Sequence, residues 1–166
     1  VAEVVFLGLG SNTGDRNGYI ESALEKLEFE RKIVIQKRSA VYETEPWGIR
    51  NQNKFLNMAV KAETLLAPGE LYEFIKKTES LTGRKKRERW HEREIDIDIL
   101  FYGNLVLSNE KITIPHREVQ NRKFVLIPMN EIEPDFKHPV FHKSISELLN
   151  ETKDISEVTI YNKFAG

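Results

Sequence analysis

Residues Ile95, Asp96, Ile97, Asp98 and Ile99 alternate strictly between β-branched apolar and acidic side chains. A period of two fits a strand and no helix, so one face of this segment must enter a core while the other presents two carboxylates. On a strand rising about 3.3 Å per residue, their Cα atoms lie roughly 6.5 to 7 Å apart, which lets both reach hard cations about 3.5 to 4 Å apart. Directly upstream, Arg84, Lys85, Lys86, Arg87, Arg89 and Arg93 gather positive charge around Trp90. A solvated surface is the bland alternative for such a basic run. An indole in so charged a segment, however, has to cover something or be covered. Acid suited to magnesium beside base suited to phosphate points to nucleotide chemistry.

The rest of the chain supplies an order of elements. Val4 to Gly10 reads as a buried strand, and G-L-G-S-N-T-G as a tight turn into a helix capped by Asp15 and running to about Glu30, with Ile20, Ala23, Leu24 and Leu27 on one face. The glycines lack the spacing of a dinucleotide or phosphate loop, and a structural role is expected of them. A second strand is expected over Ile33 to Tyr42 and a third over Phe55 to Thr64. A helix from Pro68 to near Gly83 follows, and then the I-D-I-D-I-L-F-Y strand. Gly103-Asn104 predicts a hairpin turn into Leu105 to Leu107, with a further short strand near Ile112 to Ile114. Beyond Pro115-His116 the pattern predicts a helix from about Asn121, another near Ser144 to Leu149, and a last strand at Val158 to Tyr161. The order βαββαβ predicts an α+β, ferredoxin-like core: an antiparallel sheet with helices on one face and C-terminal additions outside it. A doubly wound parallel sheet fits less well, because only a loop joins the second and third strands.

Composition narrows the chemistry. A chain of 166 residues, 40% hydrophobic and 31% charged, is expected to form a single domain spanning 1–166 that buries roughly two thirds of its unfolded surface. No apolar run approaches the roughly 20 residues of a membrane helix, and the N-terminal run has no basic leader. With no cysteine, thiolate metal sites and a cysteine nucleophile are excluded, and a cytoplasmic setting is expected. The four histidines show no zinc spacing, so any metal should be held by oxygen. A net charge of −1 gives no general attraction to nucleic acid, and the basic cluster suits a ligand phosphate better. His116, ahead of Arg117 and Arg122, fits either a contact with phosphate or leaving group or a structural role. Trp47, Phe55 and Phe124 with Asn57 suggest a flat aromatic slot with an amide at its edge, since a lone Asn among apolar neighbours is costly when buried without a partner.

Five ordered blocks carry a resemblance: L-G-L-G-S-N at 7–12, Y-E-T-E-P-W-G at 42–48, F-L-N-M-A-V at 55–60, E-R-E-I-D-I-D-I-L at 92–100, and I-P-H followed by N-R-K-F-V-L-I-P from Asn121. Together they resemble the 6-hydroxymethyl-7,8-dihydropterin pyrophosphokinases. The resemblance implies a ferredoxin-like fold and Mg²⁺-dependent transfer of pyrophosphate from ATP to the pterin hydroxymethyl group, releasing AMP, in folate biosynthesis. It implies Asp96 and Asp98 as ligands of two Mg²⁺ ions, with Arg84 and Arg93 joining them in catalysis. On the ATP side it implies Glu79, Arg84, Trp90, Arg93, Ile99, Lys111, His116 and Arg122. On the pterin side it implies Thr44, Pro46, Trp47, Phe55, Asn57, Asp96 and Phe124, the two phenylalanines sandwiching the ring. His91 and Glu92 depart from the small residue usual before Arg93, Phe55 stands where Tyr can occur, and Lys76 where Gln can. The partners implied are small molecules, pterin and ATP, with no nucleic acid or membrane, and the protein is expected to be a monomer. A rival reading is a non-catalytic ferredoxin-like module that binds a nucleotide or RNA; a D-x-D nucleotidyl or glycosyl transferase is a smaller alternative.

Overall fold

A computed structural model describes residues 1–46, 52–88 and 91–162. In chain order the elements are β1 (Glu3–Ser11), α1 (Arg16–Phe29), β2 (Ile33–Arg38), β3 (Val41–Thr44), β4 (Phe55–Thr64), α2 (Pro68–Thr82), β5 (Asp96–Tyr102), β6 (Leu107–Ser108), β7 (Thr113–Ile114), a single 3-10 turn at Val119–Asn121, α3 (Lys123–Ile132), α4 (Ile145–Glu151) and β8 (Val158–Asn162). The main sheet runs β5-β1-β4-β3-β8, with β2 also on β4, and every pairing is antiparallel. Taking β2 and β3 together, the first six elements of the core are the expected βαββαβ arrangement.

Local chemistry sets the boundaries. The Asp15 carboxylate accepts the Gly18 N–H at 3.0 Å and starts α1. Pro68 opens α2, and Gly83, at φ 117°, closes it in the left-handed region that glycine enters freely. The single strand expected over Ile33 to Tyr42 is broken at Ser39 and Ala40. The Ser39 hydroxyl accepts the Ala59 N–H at 2.9 Å, taking the place of a ladder carbonyl, so the chain steps sideways before pairing resumes.

The sheet is covered on both faces, not one. Ile97 and Ile99 join Leu7 and Leu9 of β1 against Leu24 and Leu27 of α1 and Leu71 and Ile75 of α2. Phe6, Leu100 and Phe101 pack on the other side against Leu126 and Met129 of α3 and Ile145 and Leu148 of α4. Leu100 and Phe101 reach the same core because the register between β1 and β5 slips between Phe6 and Leu7, making Leu100 the extra residue of a bulge. Each such buried side chain is worth roughly 1.5–3 kcal/mol relative to exposure, so the C-terminal helices belong to the fold proper. The Gly103 turn forms, but the strand after it pairs elsewhere: β6 meets β7 in a separate two-stranded ribbon. The helix expected from Asn121 begins at Lys123, and β8 pairs with the outer edge of β3, placing Val158 opposite Thr44.

Candidate active site

Gly8 and Gly10 lie within β1, not in the turn after it, and they make the floor of a cleft. Gly8 is paired with Asp98 on one side and Ala59 on the other; Gly10 is paired with Asp96 and Asn57. A Cβ on Gly10 would stand 2.6 Å from Asn57 Oδ1, so only a bare backbone lets acid and amide approach across the strand. Their alternation with Leu7 and Leu9 was the signal available in the sequence: two glycines on one face of a strand mark a close approach. The cleft is bordered by these glycines, Asp96, Asp98, Asn57, Phe55 and Phe124.

On the acidic side, Arg93 Nη1 donates to Asp96 Oδ2 at 2.9 Å and Arg84 Nη2 stands 3.6 Å from Asp96 Oδ1. Both arginines therefore stand against Asp96, one of the two carboxylates. Asp98 keeps 38% of its side-chain surface open. Its carboxyl is nevertheless raised well above the ordinary range, first by desolvation and then by the Asp96 and Glu79 charges, against the pull of Arg122 and Lys76. Burial also pushes His116 down to about 4, so its imidazole is neutral at pH 7. Because Nδ1 accepts the Glu118 N–H at 3.2 Å, the ring proton sits on Nε2, 4.0 Å from Asp98 Oδ2.

Glu79 is buried and turned to the β5 backbone. Its Oε2 accepts the Ile97 N–H at 2.7 Å and its Oε1 accepts from Lys76 at 3.1 Å. It thus satisfies the β5 backbone between the two aspartates, and desolvation raises its pKa. Arg87 is committed elsewhere: it grips Glu94 through both nitrogens, at 2.9 and 2.7 Å, and holds that carboxyl down at about 2. Glu92 accepts from the Thr13 hydroxyl at 3.3 Å, and His91 lines the cleft rim.

A second groove runs beside β5 between α2 and β7, bordered by Lys76, Ile99, Lys111, Thr113 and His116. Ile99 is mostly core and shows only an edge there. Lys111 is exposed and pairs with Glu73 at 3.3 Å. Asp98 borders both this groove and the cleft.

Across the cleft, Asn57 Nδ2 donates to Thr44 Oγ1 at 2.7 Å, both residues being buried. Phe55 and Phe124 line the same cleft, and the Arg122 guanidinium stands 5.6 Å from the Phe124 ring centre. Pro46 is half-buried just past β3 and does not line the cleft. Trp47 and Trp90 lie outside the described residues. Sequence reasoning also missed Asn12. Fully buried, it accepts the Arg93 N–H at 2.7 Å through Oδ1 and donates from its own backbone to Arg93 O at 3.0 Å.

Residues 6–134 match the family model described as 7,8-dihydro-6-hydroxymethylpterin-pyrophosphokinase (HPPK). The chain is 48% identical over 143 residues to the 2-amino-4-hydroxy-6-hydroxymethyldihydropteridine pyrophosphokinase of Aquifex aeolicus, covering 86% of this chain and 88% of that one. It is 45% identical over 130 residues to the protein of the same name from Methylorubrum extorquens, covering 78% and 82%. Among solved structures, wild-type Plasmodium falciparum HPPK-DHPS superposes with a TM-score of 0.73 at 19% identity, covering 91% of this chain but 45% of that longer one, which speaks to the fold. By the extent of the family match and the identity to these relatives, the chain belongs to the 7,8-dihydro-6-hydroxymethylpterin-pyrophosphokinase family.

Proposed function

We propose that the protein transfers the β,γ-pyrophosphoryl group of ATP to the hydroxymethyl oxygen of 6-hydroxymethyl-7,8-dihydropterin, releasing AMP, in folate biosynthesis. The observation that carries this reading is Asp98, which borders both the aromatic cleft and the groove beside α2. A carboxylate at such a junction lies where two substrates exchange a group. In the reaction the pterin oxygen forms a bond to the β-phosphorus, the bond from that phosphorus to the bridging oxygen of AMP breaks, and the hydroxyl proton is released.

The pterin is assigned to the cleft, its ring between Phe55 and Phe124 and its amide edge read by Asn57, which Thr44 holds in place. ATP is assigned to the groove, with His116 offering its Nε2 proton and Arg122 its charge near Asp98. Arg84 and Arg93 are placed to meet phosphate oxygens, and Lys111 stands at the rim. Phosphoryl transfer asks mainly for positioning and charge stabilisation, which these residues supply. Magnesium fits the donor set: two neighbouring carboxylates, Asp98 raised by burial and then by the Asp96 charge, are what a cation that prefers few carboxylates plus phosphates and water requires. Asp96 and Asp98 would hold the two expected ions, with Arg84 and Arg93 moving from Asp96 to phosphate. When bound, Mg²⁺ neutralises charge on the reacting phosphates. The same reading makes the protein a monomer that works in the cytoplasm on small molecules; no helix among the described residues is long and apolar enough to cross a membrane.

The test is AMP formation from Mg-ATP with and without the pterin. Pterin-dependent AMP is expected from the unaltered protein, and Asp98→Ala is expected to lose it by a factor of about 10³ or more, the scale of a group that stabilises transition-state charge. Near-normal AMP formation by that variant at saturating Mg²⁺ would remove the carboxylate from the mechanism. Binding without turnover in the unaltered protein would favour the rival, non-catalytic module.

A further inference from the structure

The last paired residues of β1 and β5 are Gly10 and Asp96, yet the two chains stay joined beyond them. Asn12 grips the main chain of Arg93 from both sides: its backbone N–H donates to Arg93 O at 3.0 Å and its Oδ1 accepts the Arg93 N–H at 2.7 Å. The remaining side-chain group reaches the other way. Asn12 Nδ2 donates to Gln52 Oε1 at 3.0 Å and, more weakly, to Asn53 O at 3.5 Å. Residues 52 and 53 lead directly into Phe55 and Asn57 on β4, whereas Arg93 carries its guanidinium to Asp96. One fully buried carboxamide therefore joins the backbone that aims a phosphate-side arginine to the backbone that enters the pterin-side wall. Its acceptor serves one half and its donor the other. Such a buried amide is costly to leave half satisfied, so a shift of either wall is felt by its neighbour.

We infer that Asn12 is a positioning residue that couples the two halves of the cleft, so that pterin and nucleotide strengthen each other's binding through its hydrogen bonds. The inference rests on the pyrophosphoryl-transfer reading above. A ligand that fixes one wall has already restricted Asn12, and the second ligand then orders less of the protein. The coupling is reciprocal: the factor by which pterin tightens nucleotide equals the factor by which nucleotide tightens pterin.

Two substitutions separate this role from a merely structural one. Asn12→Asp keeps an oxygen for the Arg93 N–H but turns a carboxylate oxygen toward Gln52 Oε1 and Asn53 O, cutting only the link to the pterin side. Gln52→Ala removes the far acceptor and leaves the Arg93 clamp alone. The affinity for Mg²⁺ with α,β-methylene-ATP, which lacks the bond to be broken, is measured by calorimetry with and without the pterin, beside melting temperature and AMP formation. The unaltered protein is expected to show a coupling factor of about ten, within the usual range for linked sites, and both variants a factor within about twofold of one. Gln52→Glu, which restores an acceptor, is expected to restore coupling. A structural role alone would lower the melting temperature and weaken both ligands in parallel while leaving their ratio intact; that result overturns the inference, as does a factor of one in the unaltered protein. An unaltered protein that forms AMP but shows no coupling separates failure of this inference from failure of the functional reading, which the absence of pterin-dependent AMP would signal.

Discussion

Gly10 separates Asp96 from Asn57 on adjacent strands, and its missing side chain is a steric requirement, since a Cβ would stand 2.6 Å from Asn57 Oδ1. Its backbone is ordinary extended strand, so alanine introduces no conformational strain and its effect is confined to the Asn57 carboxamide. Asn57 cannot retreat easily, because Thr44 Oγ1 holds its Nδ2 at 2.7 Å. Gly10→Ala is therefore expected to raise the KM for pterin roughly tenfold, the value of one hydrogen bond of about 1.4 kcal/mol, while the KM for ATP moves less than about twofold. Steady-state kinetics with each substrate varied in turn checks this, and an equal rise in both constants would place the disturbance in β1 as a whole. Ser39 works at the same scale: one hydroxyl replaces one ladder carbonyl and divides a strand.

Among the elements, α3 supplies one wall of the cleft, with Phe124 in its first turn and Arg122 just before it. What fixes the helix is Glu131 in its last turn. Both its carboxylate oxygens accept the Ala40 N–H, at 3.0 and 3.1 Å, and Oε1 also accepts the Tyr42 hydroxyl at 2.6 Å. Burial and this neighbouring carboxylate raise the Tyr42 pKa, keeping it a donor throughout the neutral range. Glu131→Ala removes the acceptor of an N–H and a hydroxyl that it meets at the edge of the core, where water can take its place, and is expected to cost about 0.5–1.5 kcal/mol, read as a lower urea midpoint at unchanged slope. Little of this was legible in the sequence. Periodicity located the strands and helices well, because the alternation of Ile95 to Ile99 and the spacing of Ile20, Ala23, Leu24 and Leu27 answer directly to burial. Pairing partners were harder: β6 was expected to return along β5 and instead pairs with β7, and nothing in the chain near Leu126 and Met129 announced which sheet face they cover. At the site, types of residue pointed to Asp96, Asp98 and Asn57 because acids and amides among apolar neighbours need a reason. Asn12 escaped notice, and Gly8 and Gly10 were read as part of a turn, because what they do depends on which strand lies beside them.

Taken as a whole, the molecule is a sheet packed on both faces, with its chemistry at the end where β1 and β5 stop pairing and the two grooves meet. The described residues contain no group of three or more His, Cys, Asp or Glu placed to hold a metal ion. One of the two aspartates at the junction is already paired with Arg93 and faced by Arg84. Two carboxylates partly neutralised by arginine attract a divalent cation weakly, whereas nucleotide phosphates both add oxygen ligands and draw the arginines away. Metal and nucleotide are therefore expected to stabilise the fold as a unit. Mg²⁺ alone at a few millimolar should move the melting temperature by less than about 1 °C, and α,β-methylene-ATP alone only modestly. Together, at about a hundred times their apparent dissociation constant, they should add about 2.7 kcal/mol, or roughly 5 to 10 °C for a chain of this size. Asp96→Asn should abolish the excess of the pair over the nucleotide alone while leaving the melting temperature of the free protein close to its original value, because removing one charge also relieves its repulsion with Asp98. Thermal melts over a grid of metal and nucleotide concentrations measure that excess directly, and a large shift with Mg²⁺ alone would mean that the aspartates bind metal before any phosphate arrives.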